Sequence, residues 1–470
     1  MKRSLILASS LWLVATLAFG VAEGVLTFSP NSGPVGTAVA ATASGLPANA
    51  TLDFVWATAD ARWLVEDGHF YGQDADAAQA VLLSVVTDKD GKASFTFTVP
   101  TDFGYVHNTT LVQGEEVVAR QGFTLTPALT LSPTSGPLGT PITVTVTGLG
   151  FNFYQSGWHL MYDNAQTGWV TGITTQGSAT FTIPATGNEG PHLLQLLTGP
   201  RRPYLNIEQS PNYQPAMAYH EHATFTITPG QAVTPPDAAD QTLPRVKGQQ
   251  APGSGPALAV DFASGIVGSP IRLTGVNYPP ETTVELSYSS VRGNRISGGG
   301  WQTVDVPWGS VKTDAAGGFD VTWPTPDDLA GARTITAVAG GTSATVDYTI
   351  TPNVEALTPS QVAPGATFQL TLKGTGWSDT GNIYTVVIDN SYFGYACGFN
   401  TNGTIVINFT APLEPGWHYL DLYPSIYQGT SDVPTTTTSN DHFQLPMLNA
   451  IDHPGEELPA FHLAFEVVGE

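Results

Sequence analysis

Short runs in which apolar and polar residues alternate recur along the whole chain, among them Phe95-Thr-Phe-Thr-Val99, Ile142-Thr-Val-Thr-Val-Thr147 and Phe368-Gln-Leu-Thr-Leu372. Alternation at period two sends successive side chains to opposite faces, so each run predicts a half-buried β-strand. Between the runs lie Asp88-Lys-Asp-Gly91, Asp314-Ala-Ala-Gly317 and Thr401-Asn-Gly403. Asp or Asn with Gly suits the positive φ angles of tight hairpins. No amphipathic helix pattern interrupts the strands. The predicted class is all-β, with about seven short strands per roughly 100 residues, the count of a two-sheet sandwich.

The strand pattern itself repeats. The segment Leu26-Thr-Phe-Ser-Pro30-Asn-Ser-Gly33-Pro34-Val-Gly36-Thr37 returns as Leu129-Thr-Leu-Ser-Pro133-Thr-Ser-Gly136-Pro137-Leu-Gly139-Thr140, at an offset of 103. A second offset of 226 carries Pro133, Gly139, Gly148, Gly150 and Phe151 onto Pro359, Gly365, Gly374, Gly376 and Trp377. The same offset carries Asp163-Asn164, Gly168-Trp169 and His192 onto Asp389-Asn390, Gly394-Tyr395 and His418. One register held that long marks an internal duplication. Modules close on Phe123-Thr-Leu-Thr-Pro127, Phe225-Thr-Ile-Thr-Pro229 and Tyr348-Thr-Ile-Thr-Pro352, where proline stops further ladder pairing. The plan is A-B-A′-B′: module A over residues 25–127, B over 128–228, a Pro- and Gly-rich linker over 229–256, A′ over 257–352 and B′ over 353–470. The linker's composition predicts that the two A-B pairs move relative to one another.

The opening of module B, Ser-Pro133-Thr-Ser-Gly136-Pro137-Leu-Gly139-Thr140 followed by an alternating strand and Gly148-Leu-Gly150-Phe151, resembles that of bacterial IPT/TIG-type immunoglobulin-like repeats. All four modules carry part of this pattern. A′ departs most, with Ala263-Ser-Gly265-Ile-Val-Gly268 at the turn and Gly275-Val-Asn-Tyr278 after it. The resemblance implies four tandem immunoglobulin-like β-sandwich modules in an extracellular, usually non-enzymatic setting. It implies no ligand, because this fold hosts many functions.

Charge narrows the partners. Sixteen Lys plus Arg against 39 Asp plus Glu give a net charge of −23, which argues against nucleic acid because phosphate binding needs clustered cations. Met1-Lys2-Arg3, an apolar run to Phe19 and small residues through Gly24 read as a secretory signal peptide, residues 1–22, with no transmembrane segment after its cleavage. The single cysteine, Cys397, precludes an intramolecular disulfide and is expected to be buried as a small hydrophobe.

Catalytic signatures are missing: no Gly-x-Ser-x-Gly elbow, His-Glu-x-x-His, Cys-x-x-Cys or phosphate-cradling glycine loop occurs. The chain is therefore expected not to be an enzyme, with no catalytic residue, cofactor or metal. Asp74 with Asp76 and Glu456 with Glu457 read as solvated loop charges. Asp88-Lys-Asp90-Gly91 has calcium-loop spacing, but its copy Asp314-Ala-Ala-Gly317 lacks the second aspartate, which favours a hairpin turn. Eight of the ten histidines lie in the B modules. His220-Glu-His222 places two imidazoles on one strand face, yet the counterpart of His220 is Ala460 and no third ligand is identifiable.

The B modules also carry long connections before their last strands: 198–222 with Tyr204, Tyr213 and Tyr219, and 423–462 with Tyr427 and Phe443. Loops this long are uncommon unless they have a task. Aromatic loops suit protein or sugar binding, and equally they can fold back over an edge strand. With Trp169 and Tyr395, these residues are the candidate ligand-binding set. The expectation is a secreted extracellular, cell-surface or periplasmic protein, structural or adhesive, that binds an extracellular protein or glycan surface. The alternative is a carbohydrate-binding or accessory protein of an exported polysaccharide-degrading system, and a hydrolase on a sandwich scaffold stands third.

Overall fold

The computed structural model describes residues 24–152, 155–198, 220–248, 254–293, 301–427 and 444–469; residues 1–22, read above as a signal peptide, lie outside them. The alternating runs become strands with one buried face. In Pro141–Thr147, Ile142, Val144 and Val146 are buried while the intervening threonines are not. Among the described residues the only helical turns are three short 3-10 turns.

One topology appears four times, a three-stranded layer facing a five-stranded one. In module B the small sheet runs Ala179–Pro184, Pro141–Thr147, Ala128–Ser132, and the large one Ser135–Gly136, His220–Ile227, Gly190–Thr198, Trp158–Tyr162, Ala165–Val170. B′ repeats that order, its large sheet running Gln361–Val362, Phe461–Val467, Gly416–Pro424, Ile383–Ile388, Ser391–Cys397. A′ does the same, ending on Thr283–Gly293 and Trp301–Lys312. In module A the two layers join through Gly24–Ser29, which pairs antiparallel with Ala38–Ser44 and parallel with Glu116–Leu125. The fold is thus all-β, four immunoglobulin-like sandwiches in tandem.

The Asp-Gly turns are closed by their own side chains. Asp88 Oδ1 accepts the N–H groups of Asp90 and Lys92 at 2.9 Å, and Asp314 Oδ1 those of Ala316 and Gly318 at 2.8 Å. The Lys92 amide is the main reason the Asp88 carboxyl is held below its ordinary range. Gly91 and Gly317 sit at φ 68° and 80°, and a Cβ there would lie 2.1 Å from the carbonyl oxygen of Leu46 or Tyr278.

Two compact units divide the chain. One comprises Met1–Thr58, Ala78–Val99 and Val106–Thr124, its described part beginning at Gly24. Phe54, Trp56, Phe97 and Phe123 fill its core, and Trp56 stacks on His107 at 4.4 Å. The other comprises Ala59–Ala77, Pro100–Tyr105 and Leu125–Glu470. Strands Thr51–Glu66 and His69–Val86 therefore have their joined ends, an arm from Ala59 to Ala77, in the second unit.

Within the second unit B and B′ share a core. Val387, Tyr423 and Leu448 of B′ belong to the cluster built on Ile142, Trp158, Leu160 and Phe225 of B. Asn390, wholly buried, donates to Pro184 O and Thr186 Oγ1 at 2.8 Å each. The stretch 229–256, expected to be a flexible joint, is hydrogen-bonded to both modules in its described part. Val233 N–H donates to Leu138 O, Tyr419 Oη–H donates to Val233 O, and Gln241 exchanges two hydrogen bonds with the His462 backbone at 2.6 and 2.7 Å. Low charge and many prolines here produce an extended strap, because the buried B–B′ surface gives it partners.

Candidate binding surface

Trp169 was a candidate for stacking on a ligand, and its surroundings correct that reading. It is 5% exposed, in an apolar cluster with Phe70, Ile426, Leu445 and Met447, against which Trp63, Val65 and Tyr392 pack. Two segments bring this about. The end of the long B′ connection returns along the edge strand Ala165–Val170 of B, where Trp169 N–H donates to Pro446 O at 2.6 Å and Leu448 N–H to Trp169 O at 2.9 Å. The arm then lies over both. Trp63 Nε1–H donates to Asp452 O at 2.6 Å, Phe70 N–H to Asp379 Oδ2 at 3.1 Å, and Asp379 N–H to Gly68 O at 2.7 Å. Residues 446–448 of the connection 423–462 are therefore edge cover.

Tyr395, the repeat equivalent of Trp169, meets the opposite fate. The strand Ser391–Cys397 carries exposed Ser391, Phe393, Tyr395 and Cys397 on alternate positions, with Phe393 61% and Tyr395 48% exposed. A Cβ added at Gly394 would meet nothing within 4 Å. Cys397 lies on this outer face, not in the core as expected, because its place in the alternation follows Phe393 and Tyr395. Phe393 was not among the sequence candidates, though its i, i+2 relation to Tyr395 was readable. Tyr427 is half-buried, its N–H bonded to Asp379 O at 2.7 Å and its ring 6.2 Å from Phe399. Phe399 continues to Trp301 at 5.8 Å and Trp301 to Trp377 at 6.1 Å, a row of partly exposed rings. Tyr204, Tyr213, Tyr219 and Phe443 lie outside the described residues.

His159, His192, His418 and His462 of the B modules are bonded into the fold. The duplicated Asp-Asn turns each bind a duplicated histidine, Asp163 Oδ2 to His192 Nδ1 at 2.5 Å and Asp389 Oδ2 to His418 Nδ1 at 2.6 Å. The other ring nitrogens meet the carbonyls of Asn188 and Glu414 at 2.7 and 2.9 Å. At His418 both nitrogens thus face acceptors, which only the doubly protonated ring satisfies, and the Asp389 hydrogen bond raises its pKa. Such a ring has no lone pair to offer as a base. These turns line a cleft of about 380 Å³ with Tyr162 and Ser391. A second, mostly apolar cavity of about 210 Å³ is walled by Pro141, Pro184, Pro235 and Pro236 and reaches buried Asp421 and half-buried His462, 2.9 Å apart. Burial pushes Asp421 up; at His462 burial pulls down but the Asp421 carboxylate outweighs it. His222 is exposed, and no three His, Cys, Asp or Glu among the described residues form a metal-holding group.

No family model matches the chain, and no curated protein matches it. Solved structures align at low similarity. A Salmonella α-2-macroglobulin reacted with methylamine is 13% identical over 93% of this chain and 30% of its own, with a TM-score of 0.19. The ICAM-5 D1–D4 ectodomain fragment is 10% identical over 95% of this chain and 100% of its own, TM-score 0.17. Invasin, described as a bacterial integrin-binding protein, is 11% identical over 90% and 79%, TM-score 0.16. This chain spans under a third of the macroglobulin.

Proposed function

We propose that this is a secreted or cell-surface structural or adhesion protein, built of IPT/TIG-type immunoglobulin-like modules, that acts by binding an extracellular protein or glycan surface. The observation that carries the reading is the outer face of Ser391–Cys397, where Phe393 and Tyr395 are exposed while the equivalent Trp169 is enclosed. Aromatic side chains give large contact area at small entropic cost and are the usual anchors of binding surfaces. The opening motif of the modules and the basic-apolar-small N-terminus support the extracellular setting. The test is binding of the intact chain to arrays of immobilised extracellular-matrix proteins and glycans. The parent is expected to bind a subset, and the Phe393→Ala/Tyr395→Ala double variant to lose at least tenfold. Equal binding by both proteins overturns the assignment of the surface.

The row Trp301, Trp377, Phe399 and Tyr427 supports the second reading, a carbohydrate-binding or accessory protein, because successive half-exposed rings suit stacking on sugars. Polysaccharide pull-down with Trp301→Ala separates the two: loss of retention there, with Phe393→Ala/Tyr395→Ala unaffected, favours this alternative.

A further inference from the structure

The two B modules have the same edge, and one of them shows what that edge accepts. Strand Ala165–Val170 pairs with Trp158–Tyr162 so that Trp169 lies opposite His159, with a register shift between Leu160 and Met161. Strand Ser391–Cys397 pairs with Ile383–Ile388 so that Tyr395 lies opposite Thr385, with the shift between Val386 and Val387. Every one of these positions is 226 residues from its counterpart, the bulge included. Because alternate residues of an edge strand turn their N–H and C=O outward, identical register fixes identical direction. At Trp169 the outward N–H and C=O are taken by Pro446 O and Leu448 N–H. At Tyr395 the same two groups face outward from the B′ sheet, at the end of its strand order, with no partner among the described residues.

We infer that the Tyr395 edge of B′ binds an extended peptide strand from a partner protein, pairing with it as residues 446–448 pair with Trp169. This rests on the proposed binding surface and specifies its mode, backbone addition rather than ring stacking. The partner is neutral or basic and carries apolar residues at alternate positions. The strand Ser-Tyr-Phe-Gly-Tyr-Ala-Cys has no charge of its own, its neighbours Phe393 and Tyr395 supply apolar flanks, and a chain of net charge −23 repels a second copy of itself.

The probe is a labelled synthetic peptide, Gln-Leu-Pro-Met-Leu-Asn-Ala, copying residues 444–450, added to the full chain. Tyr395→Pro deletes the outward N–H at an edge position where proline is tolerated, whereas Tyr395→Thr removes the ring and keeps the backbone. Binding is expected to fall at least tenfold in Tyr395→Pro and less than threefold in Tyr395→Thr, and the peptide is expected to slow hydrogen exchange at the Tyr395 amide. An equal fall in both variants, or peptide binding by Tyr395→Pro at the parent level, overturns strand addition. If the peptide fails to bind while Phe393→Ala/Tyr395→Ala still abolishes array binding, the surface stands and the mode is wrong. A dimer of the full chain that Tyr395→Pro dissolves overturns the choice of partner. Circular dichroism and the melting temperature of each variant confirm that folding is unchanged.

Discussion

His453 shows what a single buried side chain does to the response to acid. It is 8% exposed, neither ring nitrogen is in hydrogen-bond geometry, and the backbone of Ser425, Pro454 and Glu456 surrounds it. Burial pulls its pKa down to about 4. A base depressed in the folded state is neutral there but takes a proton on unfolding. Its contribution is present above the ordinary value near 6.5 and is lost as pH falls toward 4, by about 3 kcal/mol in all. Buried Asp452 and the more exposed Glu456, both of which desolvation raises, act in the opposite sense. Urea denaturation at pH 7.5 and 4.5 of the parent and of His453→Leu isolates the histidine, because the carboxyl contributions cancel in the difference. The variant is expected to lose less stability on acidification, and an unchanged difference would falsify the assignment. That His192 and His418 are bonded into the fold was legible in the sequence only as the concentration of histidines in the B modules. Their acceptors, such as the Glu414 carbonyl, are backbone groups that no residue pattern announces.

At the scale of elements, the arm is the part that sequence reading passed over. Its signal was present: Asp67-Gly68 joins two alternating runs far longer than their counterparts in B, with Trp63 and Phe70 beside the turn. An amphipathic hairpin, however, does not say what its apolar side covers. The strand runs and the Asp-Gly turns were readable because each depends on residues close in sequence. The enclosure of Trp169 was not, since its neighbours Phe70 and Met447 come from opposite ends of the chain. Phe70 has 0% exposure, so Phe70→Ala is expected to cost about 3–5 kcal/mol. Urea unfolding of the intact chain followed by tryptophan fluorescence measures this. A cost under about 1 kcal/mol is incompatible with the cluster, given the usual range for buried phenylalanine.

For the molecule as a whole, the repeat plan was visible in the sequence, but its consequence was reversed. Two halves joined by a proline-rich strap suggested independent movement, whereas B and B′ share apolar residues and buried polar contacts. Asn390 is the sharpest test of this joint. Asn390→Ala leaves two carbonyl or hydroxyl acceptors of module B without their donor, a loss of about 1–3 kcal/mol. Hydrogen exchange should quicken at residues 182–186 of B as well as at 389–392 of B′, with no change at 38–44 in the other compact unit. Faster exchange confined to B′ argues that the joint carries no coupling.

The return of residues 444–448 to the edge of B also sets a timetable for synthesis. Asn449 meets Thr171 across 278 residues of chain, and the neighbouring Met447 closes the strand holding Trp169. A chain emerging at about 5–20 residues per second leaves that edge open for tens of seconds before its cover exists. Until residues 446–448 have been made, the outward N–H and C=O of Trp169 have only water as a partner in the growing chain.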